Sequence, residues 1–180
     1  MHLIDIAIGV GRVLHQRWAG ILSSLTRSFM HQKIENFDSR LIQTCQKLAL
    51  PFARVALFVV YFWFGFLKII DVSPANPLVE QLQQRTLPFL TFHEFIVFFA
   101  LFEMLIGLLF LFPKMDRVVL PLFAMHMLTT FLPLVFLSEV TWQAVFVPTL
   151  EGQYIIKNLV LIAAAIAITS RTKPLKEKKF

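Results

Sequence analysis

The chain contains 180 residues, of which 57% are hydrophobic and only 16% are charged, and 20 of them are phenylalanine. This balance excludes an ordinary soluble domain and indicates an integral membrane protein with room for one compact helical bundle. The net charge of +6 is explained by basic loops that fix orientation in a membrane, and no pattern in the sequence supports binding of nucleic acid.

Residues 1–47 are predicted to form an amphipathic helix ahead of the apolar part of the chain. Apolar residues recur there at steps of three or four, at Leu3, Ala7, Val10, Leu14, Trp18, Ile21, Leu25 and Phe29. A helix with this stripe and a basic polar side is expected to lie on the cytoplasmic membrane surface, and packing against a partner subunit is the alternative. Because no basic residue precedes the first apolar run and Asp5 interrupts it, we expect this segment to be retained rather than cleaved as a signal peptide.

Four apolar segments then reach the length of about 20 residues that a helix needs to cross a membrane. Their approximate bounds are 48–70, 92–112, 118–137 and 152–169. Helices are expected because an unclosed sheet would leave backbone groups unpaired in lipid. Pro121 and Pro133 lie in the third segment, which is therefore predicted to be kinked or irregular at its ends.

The predicted fold is all-α. It is an integral membrane four-helix bundle over residues 48–169, with an N-terminal amphipathic interfacial helix over 1–47 and a basic cytoplasmic tail over 170–180. Basic residues concentrate before the first span, in the short loop between the second and third spans, and in the tail. The other two loops, 71–91 and 138–151, contribute only Arg85. This asymmetry places both termini and the short loop in the cytoplasm.

Three ionisable residues are predicted to form an inner polar layer. Glu103 lies about 16 Å into the second span, and His126 about 12 Å into the third, at about 1.5 Å per residue. Arg54 is nearer the cytoplasmic end of the first span, but its side chain is long. A lone charge at the bilayer centre costs about 2.5–3.5 kcal/mol. We therefore expect Glu103 to face inward and to pair with Arg54, with His126 nearby.

A second polar layer is expected near the outer surface. Lys68 closes the first span, and Tyr154, Lys157 and Asn158 share a face at the start of the fourth. For Lys68 the alternative is that its ammonium reaches the headgroups while its stem stays in lipid. The counter-charge of Lys157 is left open among three carboxylates, Asp71, Glu94 and Glu151.

Several kinds of chemistry have no signature in the sequence. Cys45 is the single cysteine, so no disulfide framework and no CxxC pair exists. No pair of ligand-type residues has the spacing of a metal site, and no glycine-rich nucleotide loop or GxSxG motif is present. We predict neither a metal site nor a flavin or haem site.

Three motifs resemble those of the DoxX-like four-helix membrane proteins. The first span ends FWFGFLKII, with Trp63, Gly65 and Lys68. The second contains FEMLIGLLF, with Glu103 and Gly107. The fourth opens GQYIIKN, with Gly152, Tyr154, Lys157 and Asn158. The similarity covers about residues 54–168, with all three motifs in order.

The resemblance implies a multi-pass protein of the bacterial cytoplasmic (inner) membrane. Some members of that family belong to quinone-reducing systems, notably the membrane part of thiosulfate:quinone oxidoreductase. The first hypothesis is therefore a quinone-interacting subunit or accessory protein of a membrane redox system, with quinone as its cofactor. Glu103 and His126 would relay protons. The proposed ligand-binding residues are Arg54, Tyr61, Trp63, Lys68, Tyr154, Lys157 and Asn158.

Electrons in this hypothesis come from a redox partner subunit, because the chain has no cofactor motif of its own. Whether the chain is itself part of an enzyme is left open. The alternative is a non-catalytic assembly or anchoring protein whose buried charges specify helix packing. A small-solute transporter is a third option, and it requires a homo-oligomer because four helices enclose little room for a channel.

Overall fold

The computed structural model describes the backbone of residues 2–172 and the side chains of residues 32–172. The side chains of the predicted amphipathic stripe at residues 3–29, and most of the basic tail, lie outside the described residues. The chain divides into two compact units, Met1–Leu48 and Ala49–Phe180, and each is considered by itself. The structure is mostly helical, at 82%, which supports the all-α prediction.

The first helix, α1, is continuous from His2 to Ile69 and so belongs to both units. Pro51 lies inside it, without the N–H that a helix interior normally uses. In the first unit, every described side chain from residue 32 to residue 48 is exposed, including the apolar Ile34, Phe37 and Leu41.

The second unit contains the end of α1, six further helices and one short hairpin in its described part. The helices are α2 (Asn76–Thr86), α3 (Phe92–Phe110), α4 (Asp116–Phe131), α5 (Pro133–Phe136), α6 (Ser138–Thr141) and α7 (Leu150–Thr169). A 3-10 turn at Pro113–Met115 precedes α4. The antiparallel hairpin pairs β1 (Trp142–Ala144) with β2 (Val147–Pro148) before α7.

Four helical segments of the described residues are long and apolar enough to cross a membrane, in agreement with the number predicted. They are Gln32–Ile69, Phe92–Phe110, Pro113–Phe136 and Leu150–Thr169. The third segment is irregular, as expected, because α4 ends at Phe131 and a short helix restarts at Pro133. Pro121 lies within α4 without ending it.

Two segments that we expected to be loops carry their own structure. The segment 71–91 contains α2, which begins at Asn76–Pro77 and ends where Gln83 donates hydrogen bonds to the carbonyls of Leu87 and Leu90. The segment 138–151 contains α6 and the hairpin. Pro77 lies in the first turn of α2, where proline is favoured. The prediction of a loop counted only the charged residues and did not consider this signal.

The core of the second unit lies between the long helices. Its buried members are Leu57, Tyr61, Ile106, Phe110, Val119, Phe123, Met127, Ala165 and Ile168. Two glycines bring α1 and α3 together. A Cβ added to Gly65 would lie 2.7 Å from the Ala100 carbonyl oxygen, and one added to Gly107 would lie 2.9 Å from the Phe62 amide nitrogen. The backbones of α1 and α3 are therefore in contact, and this contact fixes the position of one helix along the axis of the other.

Candidate functional site

The contact between α1 and α3 places a buried lysine on a buried carboxylate. Gly65 sits against Ala100 and the Glu103 Cβ, so Lys68, one turn further along α1, faces the middle of α3. The Lys68 Nζ donates to the Glu103 Oε2 at 2.6 Å, and both residues are 6% exposed. A buried pair is tolerated only when its remaining lone pairs are also satisfied. The second oxygen of Glu103 therefore needs a partner.

That partner is His126, contributed by α4. The His126 Nε2 lies 2.9 Å from the Glu103 Oε1, and the imidazole is buried. An ionised carboxylate only accepts hydrogen bonds, so Nε2 carries a proton in this arrangement. In a neutral ring the Nδ1 atom is then an acceptor. It faces the Tyr61 and Thr130 hydroxyl groups, each at 3.3 Å.

Lys68, Glu103, His126 and Tyr61 thus form a connected chain, which we call the buried polar cluster. Aromatic rings enclose its imidazole. The Phe99 ring stacks on His126 at 5.1 Å between centroids, and the Tyr61 ring meets it edge-on at the same distance. The Lys68 ammonium also lies 5.8 Å from the centre of the Phe99 ring. The cluster is therefore both hydrogen-bonded and shut off by apolar surface.

A separate ion pair lies about four helical turns before Lys68 in α1, near the start of the second unit. The Arg54 Nη1 and Nη2 donate to the two carboxylate oxygens of Asp116 at 2.7 and 2.8 Å. Nη1 also donates to the Phe110 carbonyl oxygen at 3.0 Å. The Thr172 hydroxyl donates to Asp116 at 3.1 Å. This Arg54–Asp116 clamp ties α1 to the end of α3, to the start of α4 and to the residues just after α7.

The predicted ion pair between Arg54 and Glu103 is therefore wrong. The prediction used depth along each helix separately, which placed Lys68 in an outer layer and Glu103 in an inner one. The glycine contacts set the last turn of α1 level with the middle of α3, so Lys68 reaches Glu103 and Arg54 does not. The alternative that Lys68 extends to the headgroups is also wrong, because its side chain is 6% exposed. The expected proximity of Glu103 and His126 is confirmed.

Sequence reasoning missed Asp116, which is 4% exposed and holds Arg54. The short connection PKMDR was considered only for its basic residues, as a signal of orientation. Asp116 could have been identified because it is an acidic residue in a basic loop, and that loop is predicted to lie on the same side of the membrane as Arg54 in the first span.

The remaining predicted ligand-binding residues lie on outward faces. Trp63 is 60% exposed and Tyr154 is 61% exposed. Lys157 is also exposed, and its ammonium lies 4.8 Å from the centre of the Tyr154 ring, while Asn158 is half-buried. Within residues 32–172, no carboxylate forms an ion pair with Lys157. The Tyr154 ring face is its neighbour instead.

Two of the carboxylates that were considered as the counter-charge of Lys157 accept hydrogen bonds from other residues. Asp71, which has a left-handed backbone with φ of 55°, accepts a hydrogen bond from the Asn76 side chain at 2.8 Å. Glu94 accepts from the Thr91 hydroxyl at the start of α3. Among the described side chains, no group of three His, Cys, Asp or Glu residues has the arrangement of a metal site.

Comparisons of the chain with protein-family models, with curated proteins and with solved structures found no match. The DoxX-like resemblance therefore stays a prediction that depends on the three motifs. Each motif glycine has a packing explanation in this structure. Gly65 and Gly107 lie at the α1–α3 contact, and a Cβ on Gly152 would lie 2.1 Å from the Thr141 carbonyl oxygen.

Proposed function

We propose that the chain is a multi-pass protein of the bacterial cytoplasmic membrane, with both termini in the cytoplasm, whose buried polar cluster relays protons for a quinone-linked redox system. The observation that carries the proposal is the cluster itself. Lys68, Glu103, His126 and Tyr61 are joined at 2.6 to 3.3 Å inside helices apolar enough to span a membrane. Ionisable residues at such positions are costly and are typically retained for function.

The chemistry of a quinone fits this cluster. Reduction of a quinone to a quinol consumes two electrons and two protons, and the new bonds to hydrogen form at the two carbonyl oxygens. The electrons come from a redox partner subunit that carries its own cofactor. The protein side supplies the protons, which a histidine and a carboxylate at hydrogen-bond distance can pass on.

His126 is the central member of the proposed relay. The proton on Nε2 moves to Glu103 as Nδ1 takes a proton from the Tyr61 hydroxyl group, and Tyr61 in turn takes up a proton from outside the cluster. Transfer in the opposite direction uses the same bonds. Lys68 holds a positive charge beside Glu103 and so stabilises the carboxylate between transfers.

The outward-facing residues are proposed to contact the quinone from the bilayer side. Lys157 and Asn158 offer hydrogen-bond donors on the surface of α7, and the exposed rings of Trp63 and Tyr154 offer flat apolar faces. Lipid-facing donors suit a hydrophobic ligand that enters from the membrane.

The test is to purify the protein gently from its native membrane, extract it with solvent and quantify quinone by chromatography with ultraviolet detection. The proposal predicts stoichiometric quinone in the wild type and its loss in Glu103→Gln and in Lys157→Met. The double variant Lys68→Met/Glu103→Gln removes both charges of the buried pair. It therefore tests whether bound quinone depends on the carboxylate when no unpaired lysine is left in the chain. Glu151→Gln, at an exposed carboxylate, is the matched control and retains quinone. Quinone no more abundant than in bulk lipid contradicts the proposal.

The second candidate is a non-catalytic assembly or anchoring protein. It is favoured by a specific observation, that both oxygens of Glu103 are already bonded and that Gly65, Gly107 and Gly152 lie at tight backbone contacts. In that case Glu103→Gln lowers the yield of folded protein and removes no small molecule. The double variant then restores yield, since it leaves no buried charge unpaired.

A further inference from the structure

A cleft of about 710 Å³ lies beside the Arg54–Asp116 clamp. This volume is within the range of about 300–1,000 Å³ that is usual for small-molecule sites. Apolar side chains form most of its wall, namely Leu50, Pro51, Val55, Leu111, Pro113 and Ile168. Its polar lining consists of Arg54, Asp116, Arg171 and Thr172. The cleft therefore combines an apolar wall with two arginine side chains.

The two arginines retain hydrogen-bond donors. A guanidinium carries five N–H groups in a fixed fork. Three of those on Arg54 are used, two on Asp116 and one on the Phe110 carbonyl oxygen, which leaves its Nε and one hydrogen of Nη2. Arg171 is exposed, and its guanidinium has no hydrogen bond or ion pair among the side chains that the structure describes.

The charge of the lining is positive. Two guanidinium groups face one carboxylate, and that carboxylate is already bonded by Arg54 and by the Thr172 hydroxyl. Arginine is well suited to phosphate, because its planar fork matches two phosphate oxygens at once. The polar lining therefore favours an anion with several oxygens.

The apolar wall distinguishes an amphiphile from a free anion. Inorganic phosphate would contact the arginines and leave the surfaces of Leu50, Val55 and Pro113 uncovered. In the proposed membrane orientation, this end of the bundle is the cytoplasmic one. Basic pockets between helices on that side of a membrane bind anionic lipid headgroups.

We propose that this cleft binds an anionic phospholipid, with its phosphate at Arg54 and Arg171 and the start of its acyl chains against the apolar wall. The inference rests on the proposed membrane location. It is independent of the buried polar cluster.

The test uses the full chain in detergent, with native mass spectrometry to count bound lipids during titration. Phosphatidylglycerol and phosphatidylcholine with identical acyl chains are compared, and glycerol 3-phosphate is the water-soluble arm. We expect phosphatidylglycerol to bind more tightly than phosphatidylcholine. Arg171→Gln should weaken phosphatidylglycerol binding about fivefold, which corresponds to about 1 kcal/mol for one basic residue near an anionic headgroup.

Two further variants make the test specific. Lys114→Gln removes the same charge from the neighbouring connection at an exposed residue outside the cleft lining, and it should leave lipid binding unchanged. Val55→Trp keeps every charge but places a large side chain in the cleft, so it should prevent the lipid from binding.

Three results would overturn the proposal. They are equal binding of the two lipids, equal weakening by Arg171→Gln and Lys114→Gln, and complete displacement of lipid by glycerol 3-phosphate. The quinone content of Arg171→Gln should equal that of the wild type, so failure here and failure of the proton-relay proposal are separate outcomes.

Discussion

Two ion pairs tie α1 to the rest of the second unit, and their chemistry differs. The Arg54–Asp116 clamp is bidentate, and the guanidinium keeps its proton under all ordinary conditions. The buried polar cluster joins a lysine, a carboxylate, an imidazole and a phenol, which are the side-chain types that act in general acid–base catalysis. The clamp is therefore suited to holding helices, and the cluster is suited to moving protons. The carboxylate is buried in both pairs, Asp116 at 4% exposed and Glu103 at 6%, so burial of the carboxylate does not by itself distinguish a structural role from a functional one.

The largest expected effect comes from breaking the clamp. Arg54→Ala leaves Asp116 buried without its cation, and removing one partner of a buried pair costs about 3–5 kcal/mol. The free energy of unfolding in mixed micelles should fall by that amount, while quinone content per folded molecule stays the same. Arg54→Met/Asp116→Asn should recover most of the stability, and failure to recover would show that the lost hydrogen bond to the Phe110 carbonyl oxygen, and not the unpaired carboxylate, explains the effect.

The helix contact that aligns Lys68 with Glu103 is expected to show the next largest effect. Gly65→Ala puts a methyl group 2.7 Å from the Ala100 carbonyl oxygen, so α1 and α3 must move apart. Overpacking of this kind costs about 1–3 kcal/mol. Ala163→Val, at an exposed position of α7, is the control and should change stability little. Unfolding measured by loss of helical circular dichroism checks both, and an unchanged Gly65→Ala would contradict the close contact.

A smaller effect is expected from the tyrosine hydroxyl. Tyr61→Phe keeps the ring against His126 and removes one of the two hydroxyl groups that face Nδ1, at a cost of about 0.5–1.5 kcal/mol. Quinone reduction driven from an electrode should slow, because the Thr130 hydroxyl group that remains near Nδ1 donates its proton to the His126 carbonyl oxygen at 2.9 Å. Ser170→Ala, which removes an exposed hydroxyl group just after α7, is the control and should leave both stability and rate unchanged. Equal rates in Tyr61→Phe and the wild type would remove Tyr61 from the relay.

The exposed pair between Arg85 and Glu139 gives the smallest expected effect. Both side chains are 52% exposed, and exposed pairs contribute about 0–1 kcal/mol. Arg85→Gln should therefore lower the free energy of unfolding by less than any change in the two buried pairs. A loss as large as that of Arg54→Ala would mean that burial is not what gives the buried pairs their importance.

Much of the fold could be predicted from the sequence, because a membrane span leaves a long apolar signal. Such signals predicted four helices that are long and apolar enough to cross a membrane, the irregularity at Pro133 and the inward orientation of Glu103 beside His126. The helix α2 was not predicted, because a polar segment between spans resembles a loop when only its charges are counted.

The partners of the buried charges could not be predicted, for a physical reason. The rise per residue gives depth within one helix, but the offset between two helices depends on where their surfaces touch. Here Gly65 and Gly107 set that offset, and the sequence marks the glycines without showing which turn of α3 or α1 they meet. Lys68 therefore belongs with Glu103, and Arg54 belongs with Asp116.

The central claim is that Glu103 is transiently protonated while a quinone is reduced. The most direct measurement is time-resolved infrared difference spectroscopy during quinone reduction at an electrode, with quinone supplied in excess so that its own bands appear in every sample. The account predicts a carbonyl band of a protonated carboxyl in the wild type and in Glu151→Gln, and its absence in Glu103→Gln. A spectrum without that band in the wild type, or with the same band in Glu103→Gln, would contradict the relay and favour a structural role for the cluster.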